Sequence, residues 1–184
     1  MTLEVAATNV RAEYEQFLDE HPDVRFIDAV TIDLCGIFRG KRYPRDDLAK
    51  LYRSGLALPY TVYLMDVTGD SCDPGGRGFT DGDPDGICLP IPGTLVPVPW
   101  IDESRAQVLT TMTEPDGTPS LIDPRNVAAH VLKRFEPLGL KPVLAFELEF
   151  YLLDQERDSA GRPQAPVSPL TGKRESATQV YGIT

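Results

Sequence analysis

Two glutamates separated by one residue, Glu147 and Glu149, stand in the most apolar run of the chain, PVLAFELEFYLL (142–153). If this run is a strand, side-chain alternation puts both carboxylates on one face and Phe146, Leu148 and Phe150 on the other. Two residues of strand rise then separate the carboxylates by roughly 7 Å. Like charges at that spacing repel, and burial adds a desolvation cost unless protons or a cation compensate. A divalent metal bound through oxygen is the natural compensation. The polar face of a half-exposed, solvated strand accounts for the same pattern without any ligand.

A second concentration of acid lies between Asp66 and Gly86, where six aspartates (66, 70, 73, 81, 83 and 85) face a single basic residue, Arg77. Such a segment attracts di- or polycations; Asp and Gly are equally the residues of ordinary surface turns. Asp81-Gly82-Asp83-Pro84-Asp85-Gly86 opens like a calcium-binding helix-loop-helix. The glutamate such a loop needs at its twelfth position is Pro92 here, and the flanks read as strands, so a calcium site is excluded. Gly36 to Arg42 (GIFRGKR) matches a phosphate loop only loosely, with short glycine spacing and no Ser or Thr after the lysine, and reads as a basic strand. His21 and His130 are the two histidines, too few for a histidine metal cluster or a His-based triad. Cys35, Cys72 and Cys88 are odd in number, at no metal-site spacing, and read as free thiols.

The elements that must position these residues are legible from periodicity and punctuation. Val10, Tyr14, Phe17 and Leu18 fall at helical spacing and stop at His21-Pro22, predicting a short amphipathic arm. VRFIDAVTIDL (24–34), Gly36 and IFRGKRY (37–43) predict a hairpin. Pro44 opens a helix that Gly55 stops, and LALPYTVYLMDV (56–67) follows as a third strand. The acidic segment is a long loop. ICLPIPGTLVPVPW (87–100) reads as two short strands whose prolines favour edge positions. AQVLTTMTE (106–114), a Pro-Asp-Gly turn at 115–117 and a second short strand come next. Asp123-Pro124 then caps a helix with Val127, Ala128, Val131, Leu132, Phe135 and Leu138 on one face, ending at Gly139. The chain closes on 142–153 as a strand and a polar, Pro-rich tail.

The chain has 184 residues, 41% hydrophobic, enough for one fair-sized domain or a small domain with part of a second. Its formal charge of −10 offers nothing to a polyanion, so nucleic acid is not an expected partner. The first residues carry acidic groups and no signal-like apolar run, and no stretch approaches the length needed to span a bilayer. A cytoplasmic protein without a membrane partner is expected.

Several segments together resemble the glutamine synthetase superfamily: DLCGIFRGKRYP, GDPDGICLPIPGTLVPVPW, PRNVAAHVLKRFEPLGLKPVLAFELEFYLLD and SPLTGKRESATQVYGI. RGKR, ELEFYLLD and TQVY are more similar to the γ-glutamylpolyamine synthetase branch than to the ammonia-using enzymes. The resemblance implies an α+β fold: an arm over 1–21, a β-grasp-like domain over 22–102, and the incomplete beginning of a catalytic domain over 103–184. It implies an ATP-dependent ligase in which glutamate is activated as γ-glutamyl phosphate and an amine displaces phosphate. ATP is then a co-substrate, and two Mg or Mn ions hold the phosphates, with Glu147 and Glu149 each supplying a ligand to one ion. The complete enzyme is expected to be a homo-oligomeric ring with shared active sites. An acid on the amino-terminal-domain loop, for which Asp70 and Asp73 are the candidates, would help deprotonate the amine in the neighbouring subunit. The remaining metal ligands and most of the ATP- and glutamate-binding residues are expected beyond residue 184, leaving the chain alone inactive. Ammonia as the amine, or a non-catalytic β-grasp interaction module, are the alternative readings.

Overall fold

The computed structural model describes residues 13–98, 100 and 104–174. The predicted arm is helical over 13–20, here α1, and the backbone N–H of His21 still bonds to Phe17 O at 3.0 Å before Pro22 ends the run. Residues 9–12 of that prediction lie outside the described residues. Phe17 is buried in the core, with Tyr14 and Leu18 packed beside it.

The predicted hairpin forms from β1 (Phe26–Ile32) and β2 (Phe38–Pro44), paired antiparallel from Phe26 opposite Pro44 to Ile32 opposite Phe38. A 3-10 turn, Arg45–Asp47, leads into α2 (Leu48–Ser54), which buries Leu48 and Leu51. Gly55 ends α2 at φ 67°, where a Cβ would stand 2.6 Å from Cys88 O, so glycine is required twice over at this stop.

The third predicted strand is shorter than expected. Only β3 (Leu56–Pro59) pairs, and Tyr60–Tyr63 turn into a buried 3-10 helix. Pro59 has no N–H for a ladder, and Tyr60 and Tyr63 gain more by burying their rings than by continuing an extended edge. After the acidic loop come β4 (Asp85–Pro90), β5 (Val96–Pro97) and β6 (Arg105–Thr113).

The sheet order is β2-β1-β6-β4-β3, with β5 paired to β6. β1 and β6 run parallel, Ile27 opposite Ala106 and Ala29 opposite Val108; all other pairs are antiparallel. The fold is α+β. Two expectations are corrected by this topology. A division at residue 102 would assign β6 to the second domain, whereas β6 lies at the sheet centre, between β1 and β4. The Pro-Asp-Gly turn that follows β6 misleads here, because it ends a strand rather than opening a domain. β4 is also an interior strand; Pro90 is tolerated because β3 pairs only with Asp85–Cys88, leaving Pro90 past that ladder.

One sheet face carries the core. Ile27, Ala29, Ala106, Val108 and Met112 meet Phe17, Leu48, Leu51, Tyr60 and Tyr63, with Ile27 fully buried. Beyond β6, Gly117 N bonds to Glu114 O at 2.8 Å, closing the predicted turn, but the short strand after it is reduced to one bridge between Thr113 and Pro119. Asp123 caps α3 (Pro124–Lys133), its Oδ1 accepting from Arg125 N at 2.9 Å. A 3-10 turn (Glu136–Leu138) and Gly139, at φ 66°, end it as expected. Val127, Val131, Leu132 and Leu138 are nonetheless exposed.

The chain divides into two compact units, Met1–Pro142 and Val143–Thr184. In the second, the predicted strand 142–153 is not hydrogen-bonded to any described strand. Phe146 is 92% and Leu148 84% exposed. Alternation permits a strand; a ladder requires a neighbour, and none of the described residues supplies one. Tight turns organise the rest of this unit, with Asp158 N bonded to Arg162 O at 3.0 Å and a bridge between Val167 and Arg174. No helix among the described residues is long and apolar enough to cross a membrane.

Candidate functional site

The acidic loop folds into two lobes, each shaped by its aspartates. In the first, Met65 bridges to Ser71, Cys72 N bonds to Leu64 O at 2.8 Å and Asp66 N to Asp70 O at 2.9 Å. Asp66 Oδ1 accepts from Thr68 N (2.8 Å), Thr68 Oγ1 (2.6 Å) and Asp70 N (3.1 Å). The Thr68 bonds hold the Asp66 carboxyl below the usual carboxylate range. Asp70 is exposed, and its carboxylate accepts one long bond, 3.3 Å, from Thr68 Oγ1.

In the second lobe, Asp73 leads into a 3-10 turn (Pro74–Gly76) and its Oδ2 accepts from both the hydroxyl and the N–H of Thr80. Its Oδ1 is enclosed and accepts no hydrogen bond. Asp81 Oδ1 accepts from Gly78 N at 2.9 Å, and Asp83 accepts from Thr61 N at 3.1 Å and Thr61 Oγ1 at 2.8 Å. Arg77 lies 4.6 Å over the Tyr60 ring and within 3.6 Å of Glu114 and 3.7 Å of Asp81. The Tyr60 hydroxyl donates to Glu114. Burial and that bond push the Tyr60 hydroxyl up to about 12. Thus Asp73 and Asp81 serve turn geometry and Asp83 ties the lobe to Thr61, whereas Asp70 presents its carboxylate to solvent.

The basic strand is paired rather than free. Arg42 forks onto Asp28 at 2.6 and 3.0 Å, Arg39 Nε donates to Asp33 at 3.0 Å, and Lys41 Nζ donates to Ala57 O at 3.0 Å. Asp33 sits in the β1–β2 turn, 3% exposed, and also accepts from the N–H groups of Cys35 and Ile37 at 2.9 Å each. Burial acts to raise its carboxyl, but the Ile37, Arg39 and Cys35 bonds outweigh burial and hold it low.

Reasoning from the sequence missed a buried network centred on Asp123. Its Oδ2 accepts from Tyr63 Oη (3.2 Å), Thr111 Oγ1 (2.8 Å) and Met112 N (2.9 Å), and Tyr63 also hydrogen-bonds Thr31. Asn126 donates to Met112 O at 2.8 Å and Ser120 O at 3.0 Å. The capping pattern of Asp123 was visible; its three acceptor contacts across the sheet carry no local sequence signal.

Glu147 and Glu149 are exposed in the second unit, on a segment without ladder bonds. A hard divalent ion takes six or more oxygen ligands; two carboxylates do not complete such a set. No group of three His, Cys, Asp or Glu residues able to hold a metal ion occurs among the described residues. The described residues therefore do not by themselves make a metal site.

The E. coli (strain K12) γ-glutamylputrescine synthetase PuuA is 40% identical over 171 residues, covering 93% of this chain and 36% of that protein. The chain belongs to the glutamine synthetase superfamily. Residues 121–184 match the glutamine synthetase catalytic domain. Within the superfamily the chain is PuuA-like. A glutamate–isopropylamine ligase from Pseudomonas sp is 32% identical over 152 residues, 80% of this chain and 32% of that one. The chain thus spans about a third of the length of these relatives. A crystal structure described as a novel glutamine synthase homolog superposes with TM-score 0.53 at 25% identity, covering 62% of this chain and 27% of that structure.

Proposed function

We propose that this chain is part of an ATP-dependent ligase that joins the γ-carboxylate of glutamate to an amine, a polyamine such as putrescine being preferred, through γ-glutamyl phosphate. The carrying observation is the 40% identity to a γ-glutamylputrescine synthetase along 93% of the chain. A carboxylate is a poor electrophile, so phosphorylation must precede attack by the amine. In this reading the sheet from β1 to β6 is a β-grasp-like domain, and the enzyme is a cytoplasmic, ring-forming homo-oligomer with shared active sites. Glu147 and Glu149 are ligands of two Mg or Mn sites completed by residues outside this chain. When bound, those ions would offset charge during phosphoryl transfer.

The amine arrives as a cation and must lose a proton to attack. The acidic loop raises the local concentration of di- and polycations, and an exposed carboxylate takes the proton. Asp70 fits that role; Asp73, the other candidate, is tied to Thr80 and supports the lobe instead.

The test uses the full reading frame containing this chain, assayed for glutamate-dependent ADP release with ammonium, isopropylamine, putrescine, cadaverine and spermidine. Putrescine or a longer polyamine is expected to give the highest kcat/KM, with a preference that narrows as salt screens the loop. Ammonium as the best substrate would replace this reading with an ordinary glutamine synthetase. Glu147→Gln and Glu149→Gln are each expected to shift the Mn or Mg titration to higher concentration; unchanged titrations in both would remove the ligand assignment.

A further inference from the structure

Tyr63 is fully buried, and its hydroxyl is committed to two partners that are themselves buried: it donates to Asp123 Oδ2 at 3.2 Å and shares a hydrogen bond with Thr31 on β1. Phenylalanine would fill nearly the same space, and a buried hydroxyl costs stability unless it is bonded. Setting a carboxylate and a threonine against it therefore adds little net energy. What it fixes is geometry, because a satisfied buried network holds one arrangement of the elements it joins. Those elements are β1, β6 through Thr111 and Met112, the cap of α3, and the 3-10 helix Tyr60–Tyr63. The tie thus runs from the segment that matches the catalytic domain, which begins at residue 121, to the residue on which the acidic loop is hung.

The two lobes of that loop differ in what else holds them. The second is tied to the sheet and the 3-10 helix by Arg77 on Tyr60 and Glu114 and by Asp83 on Thr61. The first closes on itself, with Cys72 N on Leu64 O, Met65 bridged to Ser71, Asp66 N on Asp70 O and Asp70 N back on Asp66 Oδ1. Among the described residues, its side-chain tie to another element is the long contact from Cys35 Sγ to Met65 O, 3.8 Å. Leu64 N bonds to Thr61 O at 3.0 Å, so the lobe extends the 3-10 helix and follows it. Where Asp70 stands is therefore set at Tyr63. We propose that Tyr63, held by Asp123, is a positioning residue for the carboxylate that takes the proton from the amine. This rests on the ligase reading above and on the part given there to Asp70, and it adds the buried contact that places that carboxylate.

The experiment compares two nucleophiles in the full reading frame: putrescine, which arrives protonated, and hydroxylamine, which is largely neutral at neutral pH and attacks without first losing a proton to the enzyme. Tyr63→Phe keeps the ring and removes the hydroxyl. It is expected to lower kcat/KM for putrescine about tenfold, because a displaced carboxylate transfers protons poorly, and kcat/KM for hydroxylamine by less than about twofold, with KM for glutamate and ATP unchanged. Hydrogen exchange in this variant is expected to quicken at the Asp70 and Cys72 N–H groups and to hold at those of Gly78 and Gly82, whose lobe has its own anchors. Leu51→Ala, which cuts a cavity in the core from α2, is expected to cost at least as much thermal stability and to leave the putrescine-to-hydroxylamine ratio at the wild-type value. A ratio unchanged in Tyr63→Phe, an equal loss with both nucleophiles, or a ratio that shifts as much in Leu51→Ala would each overturn the proposal. Asp70→Asn reads the assignment beneath it: a loss of about a hundredfold for putrescine against little for hydroxylamine is expected. Equal treatment of the two nucleophiles by Asp70→Asn would remove Asp70 from proton transfer, and the positioning role with it. Wild-type protein that releases no ADP with either nucleophile would overturn the ligase reading itself.

Discussion

The strand β1 and the segment 142–153 are built from similar material, alternating apolar and polar residues rich in branched and aromatic side chains, and they come to opposite ends. β1 is bonded on one side to β2 and on the other to β6, and Ile27 and Ala29 are sealed from water. Residues 142–153 bond to no described strand, and Phe146 and Leu148 stand in solvent. Alternation therefore specifies which face a residue would join, and the partner decides whether there is a face at all. The first region carries its partners within about ninety residues of chain; the second belongs to a family whose members are about three times as long.

That contrast is sharpest when one buried acceptor is removed from the first region. Asp123→Ala takes the cap from α3 and strips an acceptor from Tyr63, Thr111 and Met112 N–H, so a loss of about 2–4 kcal/mol is expected. Urea denaturation followed by far-UV circular dichroism measures it; a loss within experimental scatter would mean the network is replaceable by water. Gly40→Ala tests the β1–β2 ladder, because its Cβ would fall 1.9 Å from Ala29 O; about 2–3 kcal/mol is expected from the same measurement.

Asp33→Asn probes the turn of the same hairpin through pH. The folded carboxyl is held low, so its contribution is present above the unfolded value, about 4, and is lost as pH falls through the folded value. The stability gap between wild type and Asp33→Asn, about 1–3 kcal/mol near neutrality, is expected to close on acidification. A gap independent of pH would show that the charge of Asp33 is immaterial. At the small end, Phe146→Ser is expected to change the stability of the isolated chain by less than about 0.5 kcal/mol, while reducing its self-association in sedimentation, since an exposed apolar run is a template for pairing. A large destabilisation would mean that residues 142–153 have an intramolecular partner after all.

The same contrast explains what the sequence allowed one to read. The hairpin, α2 with its Gly55 stop, the Asp123 cap and the Gly139 stop were legible because each is a local pattern with a local cause. The position of β6 was not, since parallel pairing with β1 joins residues far apart in the chain and the Pro-Asp-Gly turn after it imitates a boundary. The premature end of β3 escaped because Tyr60 and Tyr63 have strand propensity and are diverted by tertiary burial. Of the site, the acidity of the loop was plain; that Asp73 and Asp81 are spent on turns, Asp83 on Thr61, and Asp70 on neither depends on hydroxyl and amide partners that spacing alone does not reveal.

The central place of β6 also sets the order of assembly. The β1–β2 hairpin and α2 need only neighbouring residues, so they can form while the chain is still being synthesised. The edge of β1 that will receive β6 stays open until residue 105 and those after it have emerged, and so does the edge of β4 that faces away from β3. Closure of a long loop before its contacts are rewarded slows such a sheet. The half-made sheet, with one open edge and an uncovered Ile27, is thus the interval in which a chaperone would find this chain, and substitutions in β6 should lower yield in the cell by more than their equilibrium cost implies.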